Sequence, residues 1–190
     1  MDRLSAWPPA RMLPVFAALA LAVAGCSAAE PVATGDTIVH VLRHAEKADD
    51  GRDPVLSASG NARAQALAGR WAGERIDAIY VTPLQRTRLT ALPLARAAGL
   101  EPQPLWDGTA DTGTAARRLA DHILARHRGG RVVVVGHSNT IPAIVHALSG
   151  QQVSDIDESR YDDLFTVTVG ADGQAELDWR QQGFRAQTDR

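Results

Sequence analysis

The sequence predicts an α/β protein, a three-layer α/β/α sandwich with a mostly parallel sheet and an antiparallel hairpin at its C-terminal edge. Three observations lead to this class. Short β-branched apolar runs alternate with longer stretches of helical periodicity, which is typical of parallel strands joined by helical crossovers. The run over residues 132–135 consists of four valines, as expected of a strand buried on both faces. Two strand-like segments at the end of the chain flank a turn at residues 171–173.

The individual elements follow from local composition. The predicted strands cover residues 37–42, 77–82, 131–135 and 164–169, which are rich in β-branched residues, and residues 174–181, which follow the turn of the hairpin. The predicted helices carry alanine and leucine at helical spacing, and they cover residues 57–71, 83–98, 112–127 and 140–148. Ser57 or Ser59 is a candidate N-cap, and Gly99 and Gly150 each follow a helix end. Residues 37–190 are therefore expected to form one domain.

The composition excludes several classes of protein. The 190 residues are 45% hydrophobic, which is too apolar for a disordered chain. A formal net charge of −2 gives no electrostatic footprint for nucleic acid, so no nucleic-acid partner is expected. The single cysteine excludes a disulfide framework and a four-cysteine zinc site.

Residues 1–25 have the pattern of an export signal. Arg3 and Arg11 precede an uncharged run over residues 12–24, which is shorter than the roughly 20 residues that a membrane-spanning helix needs. The run ends in Val23-Ala24-Gly25-Cys26, which resembles the lipobox of bacterial lipoproteins. The resemblance implies that the chain is cleaved before Cys26 and that this cysteine is lipidated.

A lipid on Cys26 would make residues 26–36 a short tether, since they are small, polar and marked by proline and glycine. The domain is then expected in the cell envelope, lipid-anchored and facing the periplasm. Ser27 after the cysteine favours, by the same resemblance, the outer membrane. The alternative is a plain signal peptide cut near residues 28–29, with Cys26 lost.

Polar side chains with a common chemistry follow three of the predicted strands. Arg43 and His44 follow the first strand, Arg86 lies shortly after the second, and His137 and Ser138 follow the four valines. Ligands of parallel sheets bind beyond the carboxyl ends of strands, so these side chains are expected to share one site. Guanidinium groups bind phosphate oxygens bidentately, and a histidine among cations is suited to attack phosphorus rather than to bind a metal. No metal or other cofactor is expected.

These segments resemble the histidine phosphatase superfamily, the phosphoglycerate mutase-like group. The family pattern is Arg-His-Gly after a strand, Ser-x-x-x-Arg-Thr-x-x-Thr-Ala at a helix start, and Gly-His-Ser or Gly-His-Asp after a later strand. In this chain the pattern is carried by residues 43–45, 82–91 and 136–138, within a similarity over residues 37–148 that includes the first helix start at 53–60. Ala45 replaces the usual glycine and Thr82 replaces serine.

The resemblance implies a phosphomonoesterase with a phosphohistidine intermediate. His44 would attack phosphorus, and water would then hydrolyse the phosphoenzyme. Arg43, Arg86 and His137 would hold the phosphoryl oxygens, with Ser138 beside them and His137 protonated as a donor. The implied partner is a small phosphorylated substrate, such as an exported sugar phosphate, a lipopolysaccharide core phosphate or a phosphoprotein.

The proton donor to the leaving group has several candidates. One family branch has an acid directly after the second histidine, where this chain has Asn139. Another branch has Glu after a Leu-x step, to which Leu105-Trp106-Asp107 is similar, so Asp107 is the first candidate. Glu46 and Asp111 are in reserve.

Other functions fit parts of the same sequence. Residues 136–140 partly match the nucleophile elbow of serine hydrolases, but Thr140 stands where the turn needs glycine, and no acid lies between Ser138 and the last histidine, His146. A non-catalytic lipoprotein that binds a phosphate-bearing ligand is the main alternative. A phosphomutase fits poorly with an exported domain.

Residues outside these motifs are expected to be structural. His40 and His146 lie among apolar residues and are predicted to be core residues. The acidic residues 155–163 are expected to form a solvated loop, since an acidic lid over the site would repel phosphate.

Overall fold

A computed structural model describes residues 35–105 and 110–183. Within these residues, six strands form one sheet and four helices flank it. In chain order the elements are β1 (Thr37–Arg43), α1 (Ala58–Arg70), β2 (Ala78–Val81), α2 (Gln85–Ala98), β3 (Gln103–Pro104), α3 (Thr112–Arg126), β4 (Arg131–Gly136), α4 (Ile141–Ser149), β5 (Asp163–Val169) and β6 (Ala175–Gln181). The predicted α/β class is confirmed.

The sheet has the strand order β3-β2-β4-β1-β5-β6. Strand β4 lies between β1 and β2 and is parallel to both, while β3 is parallel to β2. Strand β5 is antiparallel to β1 and forms the predicted C-terminal hairpin with β6. The carboxyl ends of β1, β2 and β4 therefore meet at one edge, where Arg43 pairs with Gly136 and Val81 with Val135.

The four valines of β4 explain why helices cover both faces of the sheet. All four are fully buried, and successive side chains of a strand point to opposite faces. Val132 and Val134 pack in a hydrophobic layer with α3 and α4, whereas Val133 and Val135 pack in a second layer with α1 and α2. Burial of one valine side chain contributes about 1.5–3 kcal/mol, so this strand anchors both layers.

The helix termini set the positions of the site residues. Ser57 is the N-cap of α1, since its Oγ accepts a hydrogen bond from the Gly60 amide at 3.0 Å. Helix α4 begins at Ile141, after a turn in which Thr140 Oγ1 accepts from the His137 amide at 2.9 Å. His137 therefore lies in this turn, ahead of the helix.

Two structural details differ from the sequence-based expectation. Strand β3 was not predicted, because its two residues, Gln103 and Pro104, carry no β-branched side chain and are too few for a period. The prediction that His146 is a core residue is wrong: it lies on the exposed face of α4, whereas His40 is buried as predicted. His40 is placed by its Nδ1, which is 3.0 Å from Thr166 Oγ1 on the neighbouring strand β5.

The proposed signal, Cys26 and the N-terminal part of the tether lie outside the described residues, as does Asp107. In the part of the chain that the structure describes, none of the helices combines the length and the apolar character needed to cross a bilayer.

Candidate active site

A cavity of about 430 Å³ opens at the carboxyl ends of β1, β2 and β4. It is lined by all five residues that the three strand ends suggested: Arg43, His44, Arg86, His137 and Ser138. Lys47 and Glu158 also line it. Three of these lining side chains are cations with a permanent or near-permanent charge and only one is an anion, so the described lining favours an anionic ligand.

His44 is held with one nitrogen available for chemistry. The ring is 3% exposed, and its Nδ1 lies 2.7 Å from the carbonyl oxygen of Ala45. A carbonyl can only accept, so Nδ1 carries the hydrogen and Nε2 keeps the lone pair in the neutral ring. Burial, followed by the charges of Arg43 and Arg86, lowers the pKa of His44 to about 4 despite the Ala45 hydrogen bond. The ring is therefore neutral at pH 7.

His137 lies beside His44, with 5.2 Å between the ring centroids. Its Nε2 is 2.9 Å from Thr82 Oγ1, which is 2.8 Å from Thr87 Oγ1. The hydrogen of the Thr87 hydroxyl is directed to the carbonyl oxygens of Thr82 and Leu84, at 3.0 and 2.8 Å. Between the two hydroxyls, Thr82 is therefore the donor and Thr87 the acceptor. Thr82 must in turn accept from His137, which places a hydrogen on Nε2 and leaves Nδ1 for a ligand.

The surroundings of His137 bear on the expectation that this ring is protonated when it holds a phosphoryl oxygen. Burial, followed by the charges of Arg86, His44 and Arg43, lowers the pKa of His137 to about 3. The imidazolium form is therefore disfavoured until an anion enters. A phosphate group beside the ring would favour that form, since an opposite charge raises the pKa of a histidine.

Arg43 is the most constrained cation of the site. Its side chain is 1% exposed, and its guanidinium carbon lies 4.3 Å from the centroid of the Tyr161 ring. Its Nη1 donates to the carbonyl oxygens of Asp157, Glu158 and Arg160 at 3.1, 2.7 and 3.0 Å. Its Nη2 donates to Glu158 Oε2 at 2.6 Å. Its Nε is buried without a hydrogen-bond partner among the described residues.

Arg86 enters the site from the first turn of α2. The start of this helix is fixed by Asp53, whose Oδ1 accepts from the Gln85 amide at 2.8 Å and lies 3.9 Å from Arg86 Nη1. Thr90, one turn later, donates to the Arg86 carbonyl at 2.7 Å and accepts from the Ala45 amide at 2.9 Å, so α2 is tied to the loop after β1. The Nε of Arg86 is also buried and lacks a partner within residues 35–105 and 110–183.

The two reserve acids do not line the cavity. Glu46 accepts hydrogen bonds from Arg63 at 2.6, 3.0 and 3.1 Å. Burial alone would raise the pKa of the Glu46 carboxyl, but the hydrogen bonds and charge of Arg63 outweigh it and leave that pKa lowered. Asp111 is the N-cap of α3, where its bond to the Thr114 amide lowers its pKa. Neither group is suited to donate a proton in this site.

The expectation of a solvated acidic loop over residues 155–163 agrees with the exposure of Asp155, Asp157 and Glu158, but it is wrong for Asp163, the first residue of β5. Asp163 is fully buried, where its Oδ1 accepts from Arg160 and, at 2.9 Å, from Trp179 Nε1. Glu158 accepts at one oxygen from Arg43 and at the other, in a short contact, from Ser138. The buried guanidinium of Arg43 needs acceptors, and this loop supplies three backbone carbonyl oxygens and the Glu158 carboxylate.

The fold and this cavity define a class of protein: an α/β protein with an anion pocket of two arginines and two histidines at the carboxyl edge of its sheet. Residues 39–108 match the family model of the histidine phosphatase superfamily, branch 1. The matched segment covers a little over a third of the chain and contains Arg43, His44 and Arg86, so this part of the chain is similar to the histidine phosphatase superfamily.

Known proteins share parts of the sequence or the fold. Phosphoserine phosphatase 1 of Hydrogenobacter thermophilus is 44% identical over 68 residues, which is 32% of this chain and 32% of that protein. The match thus spans about a third of the relative's length. The protein histidine phosphatase SixA, solved with tungstate, has a TM-score of 0.60 at 18% identity, over 76% of this chain and 96% of SixA. A mycobacterial glucosyl-3-phosphoglycerate phosphatase has a TM-score of 0.62 at 17% identity, over 75% of this chain and 97% of its own. At this identity the two structures share the fold.

Proposed function

We propose that the protein hydrolyses phosphate monoesters through a phosphohistidine on His44. The observation that carries this proposal is the fixed tautomer of His44: its Nδ1 hydrogen is held by Ala45, and its Nε2 lone pair belongs to a ring that lines a cationic cavity. A neutral imidazole nitrogen is a nucleophile, and surrounding cations attract the phosphoryl group and stabilise the charge that develops on it. Water then attacks the phosphohistidine and releases inorganic phosphate.

The other lining residues hold the phosphoryl group in this proposal. Arg43 and Arg86 bring their charges to the cavity lining, and Ser138 offers a hydroxyl once Glu158 has moved aside. His137 contacts a phosphoryl oxygen through Nδ1, because Nε2 is directed to Thr82. Positive charge comes from the arginines, so the chain's own residues supply the electrostatic stabilisation.

The decisive experiment is turnover of p-nitrophenyl phosphate by the purified protein, combined with alkaline quenching to trap a base-stable, acid-labile phosphoenzyme. Replacing His44 by alanine should lower kcat by about 1,000-fold or more, since a removed nucleophile leaves only binding and electrostatic effects. His146→Ala is the matched control, because this histidine is exposed on α4 and away from the cavity lining. Full activity in His44→Ala, or no phosphoenzyme in the wild type, would contradict the proposal.

A non-catalytic phosphate-binding protein is the second candidate, because the same cationic lining would attract a phosphate group without any turnover. Tight binding of inorganic phosphate without turnover of any ester would support this candidate over the phosphatase.

The cavity suits a small hydrophilic phosphoester. Leu84 is the only apolar side chain among the described residues that line it, and Lys47 adds a cation beside the phosphate-binding groups. The related proteins are named for phosphoserine, for phosphohistidine in proteins and for glucosyl-3-phosphoglycerate. A panel of O-phosphoserine, a phosphohistidine-bearing protein, glucosyl-3-phosphoglycerate and simple sugar phosphates would rank these classes by kcat/KM.

We also propose that residues 1–25 are removed and that a lipid on Cys26 anchors the domain to the outer membrane, facing the periplasm. The support is the lipobox-like sequence and the small, polar tether that follows it. Cys26→Ser should move the protein from the membrane fraction to the soluble fraction, with Ser27→Ala as a control. Unchanged partitioning of Cys26→Ser would exclude the anchor.

A further inference from the structure

The loop between α4 and β5 places a carboxylate inside the candidate active site. Glu158 is the only acidic residue among the described residues that line the cavity. It belongs to no sequence motif of the site and lies 20 residues after Ser138 and 115 after Arg43, the two side chains that it contacts.

Glu158 occupies the donors that a phosphate group needs. Its Oε2 is 2.6 Å from Arg43 Nη2, and its Oε1 accepts from the hydroxyl of Ser138. The Glu158 carboxylate thus binds an arginine and a hydroxyl through its two oxygens, as two oxygens of a bound phosphate group would. An incoming phosphoryl group must therefore take over at least part of these contacts.

The side chain of Glu158 can leave these donors while its loop stays in place. The loop is held by its backbone, because the carbonyls of residues 157, 158 and 160 accept from Arg43 Nη1, and Tyr161 packs on the guanidinium. The Glu158 side chain itself is 78% exposed. A displaced carboxylate would thus remain at the cavity that His44 also lines, within the same loop position.

Displacement of the Glu158 carboxylate by a phosphate group would reverse the direction in which its surroundings shift its pKa. In the ligand-free site the Ser138 hydrogen bond, with the charges of Arg43 and Lys47, lowers the pKa of Glu158. A phosphate group takes these donors and brings negative charge beside the carboxylate, and both changes favour its protonated form. The group becomes an acid only when substrate is bound.

We propose that Glu158 is the proton donor to the leaving group, a role that rests on the phosphatase function proposed above. His44 Nε2 forms the bond to phosphorus while the bond from phosphorus to the ester oxygen breaks, and the Glu158 proton moves to that oxygen to release a neutral alcohol. The Glu158 carboxylate then takes a proton from the water that attacks phosphorus, the bond from phosphorus to Nε2 breaks, and inorganic phosphate leaves. Over both steps one ester and one water give one alcohol and one phosphate.

The test is the dependence of rate on the leaving group. Glu158→Gln should lower kcat/KM for phenyl phosphate by about 100-fold, since general acid catalysis contributes 10²–10⁴-fold, and for 2,4-dinitrophenyl phosphate by less than about threefold, because its phenolate leaves unaided. Glu158→Asp should recover part of the loss with phenyl phosphate. Asp155→Asn is the matched control, being an exposed acid of the same loop, and it should leave both rates unchanged.

Each other outcome overturns a distinct claim. An equal loss of rate on both esters, or no loss on either, excludes Glu158 as the acid while the phosphatase function stands. A tighter affinity for inorganic phosphate in Glu158→Gln, with an unchanged leaving-group dependence, assigns the side chain to competition with ligands instead. A wild-type protein that forms no phosphoenzyme and turns over neither ester overturns the phosphatase function and the proton donor together.

Discussion

At the scale of single residues, the two histidines are prepared in different ways. His44 is fixed by a carbonyl that its own loop supplies, whereas His137 is fixed by the hydroxyl of Thr82, which follows β2 and is itself held by Thr87 of α2. Both rings are largely withdrawn from solvent, and neighbouring arginines disfavour their charged forms. Burial thus keeps the His44 ring neutral and nucleophilic. The His137 ring becomes protonated only when an anion lies beside it.

The lowered pKa of His44 predicts the acid limb of the pH–rate profile. The ring attacks only while it is neutral, so activity is retained above its pKa and lost as the pH falls below about 4. The kcat/KM for p-nitrophenyl phosphate, corrected for ionisation of the substrate, should fall about tenfold per pH unit below that value. An acid limb centred near pH 6.5, the ordinary value for histidine, would contradict this prediction.

The hydroxyl of Thr82 predicts a second effect at the residue scale. Thr82→Val removes the acceptor of His137 Nε2 and leaves a buried donor without a partner, whereas Thr82→Ser keeps the hydroxyl. Losing one such hydrogen bond costs about 1–3 kcal/mol, so kcat/KM should fall about 10-fold or more in the valine variant and little in the serine variant. Equal activity of both variants in steady-state assays would show that Thr82 does not position the ring.

At the scale of elements, helix α1 supports the loop that carries His44. The carbonyl of Glu46 accepts from the Ser57 amide at 2.9 Å, and Gly60 lies directly against the same backbone. A Cβ atom on Gly60 would lie 2.3 Å from the Glu46 oxygen, which is backbone and cannot turn aside. The absence of a side chain at residue 60 therefore permits the close contact between helix and loop.

Gly60→Ala should accordingly destabilise the protein. Forcing a methyl group into this contact should lower the free energy of unfolding by about 1–3 kcal/mol, measured by denaturant unfolding. Gly69→Ala, in the same helix, is the control: apart from its chain neighbours and the backbone of α1, no atom of the described residues lies within 4 Å of the position of the new methyl group, and alanine is favoured there by up to about 1 kcal/mol. A Gly60→Ala protein as stable as Gly69→Ala would show that the loop at Glu46 can move away from α1 without loss of stability.

The elements that depend on local sequence patterns could be predicted. The valines of β4, the serine before α1 and the glycine after α2 each act through neighbours in the chain, and all three predictions are confirmed. The gathering of Arg43, Arg86 and His137 could be predicted because parallel strands end at a common edge.

What could not be predicted depends on distant partners. Glu158 reaches the site because a buried arginine 115 residues earlier needs acceptors, and no periodicity in residues 155–163 encodes that contact. His146 was misplaced for a related reason: its neighbours in sequence are apolar, but its own position is on the outer face of α4. Local composition indicates how apolar a helix is, and the packing decides which of its faces is covered.

At the scale of the whole molecule, three histidines buried in their neutral form make stability depend on pH. Burial, with the charges of Arg131 and Arg70, lowers the pKa of His40 to about 4, and those of His44 and His137 are lowered to about 4 and about 3. The ordinary value is 6.5, so between that pH and about 4 the unfolded chain binds protons that the folded chain does not. The histidine contribution to stability is therefore complete above pH 6.5 and is lost as the pH falls towards 4.

The free energy of unfolding should thus decrease steadily from pH 7 to pH 4.5, a range in which most carboxylates stay ionised. His40→Gln tests the origin of this slope, because glutamine can still bond to Thr166 but does not titrate, and His40 lies outside the cavity lining. The variant should show a shallower dependence on pH in denaturant unfolding than the wild type, whereas His146→Gln, which changes an exposed histidine, should keep the wild-type slope. Parallel curves for wild type and His40→Gln would place the proton uptake on other groups. A shallower curve for His40→Gln would instead show that the core beneath β1, and not only the active site, excludes the charged form of histidine.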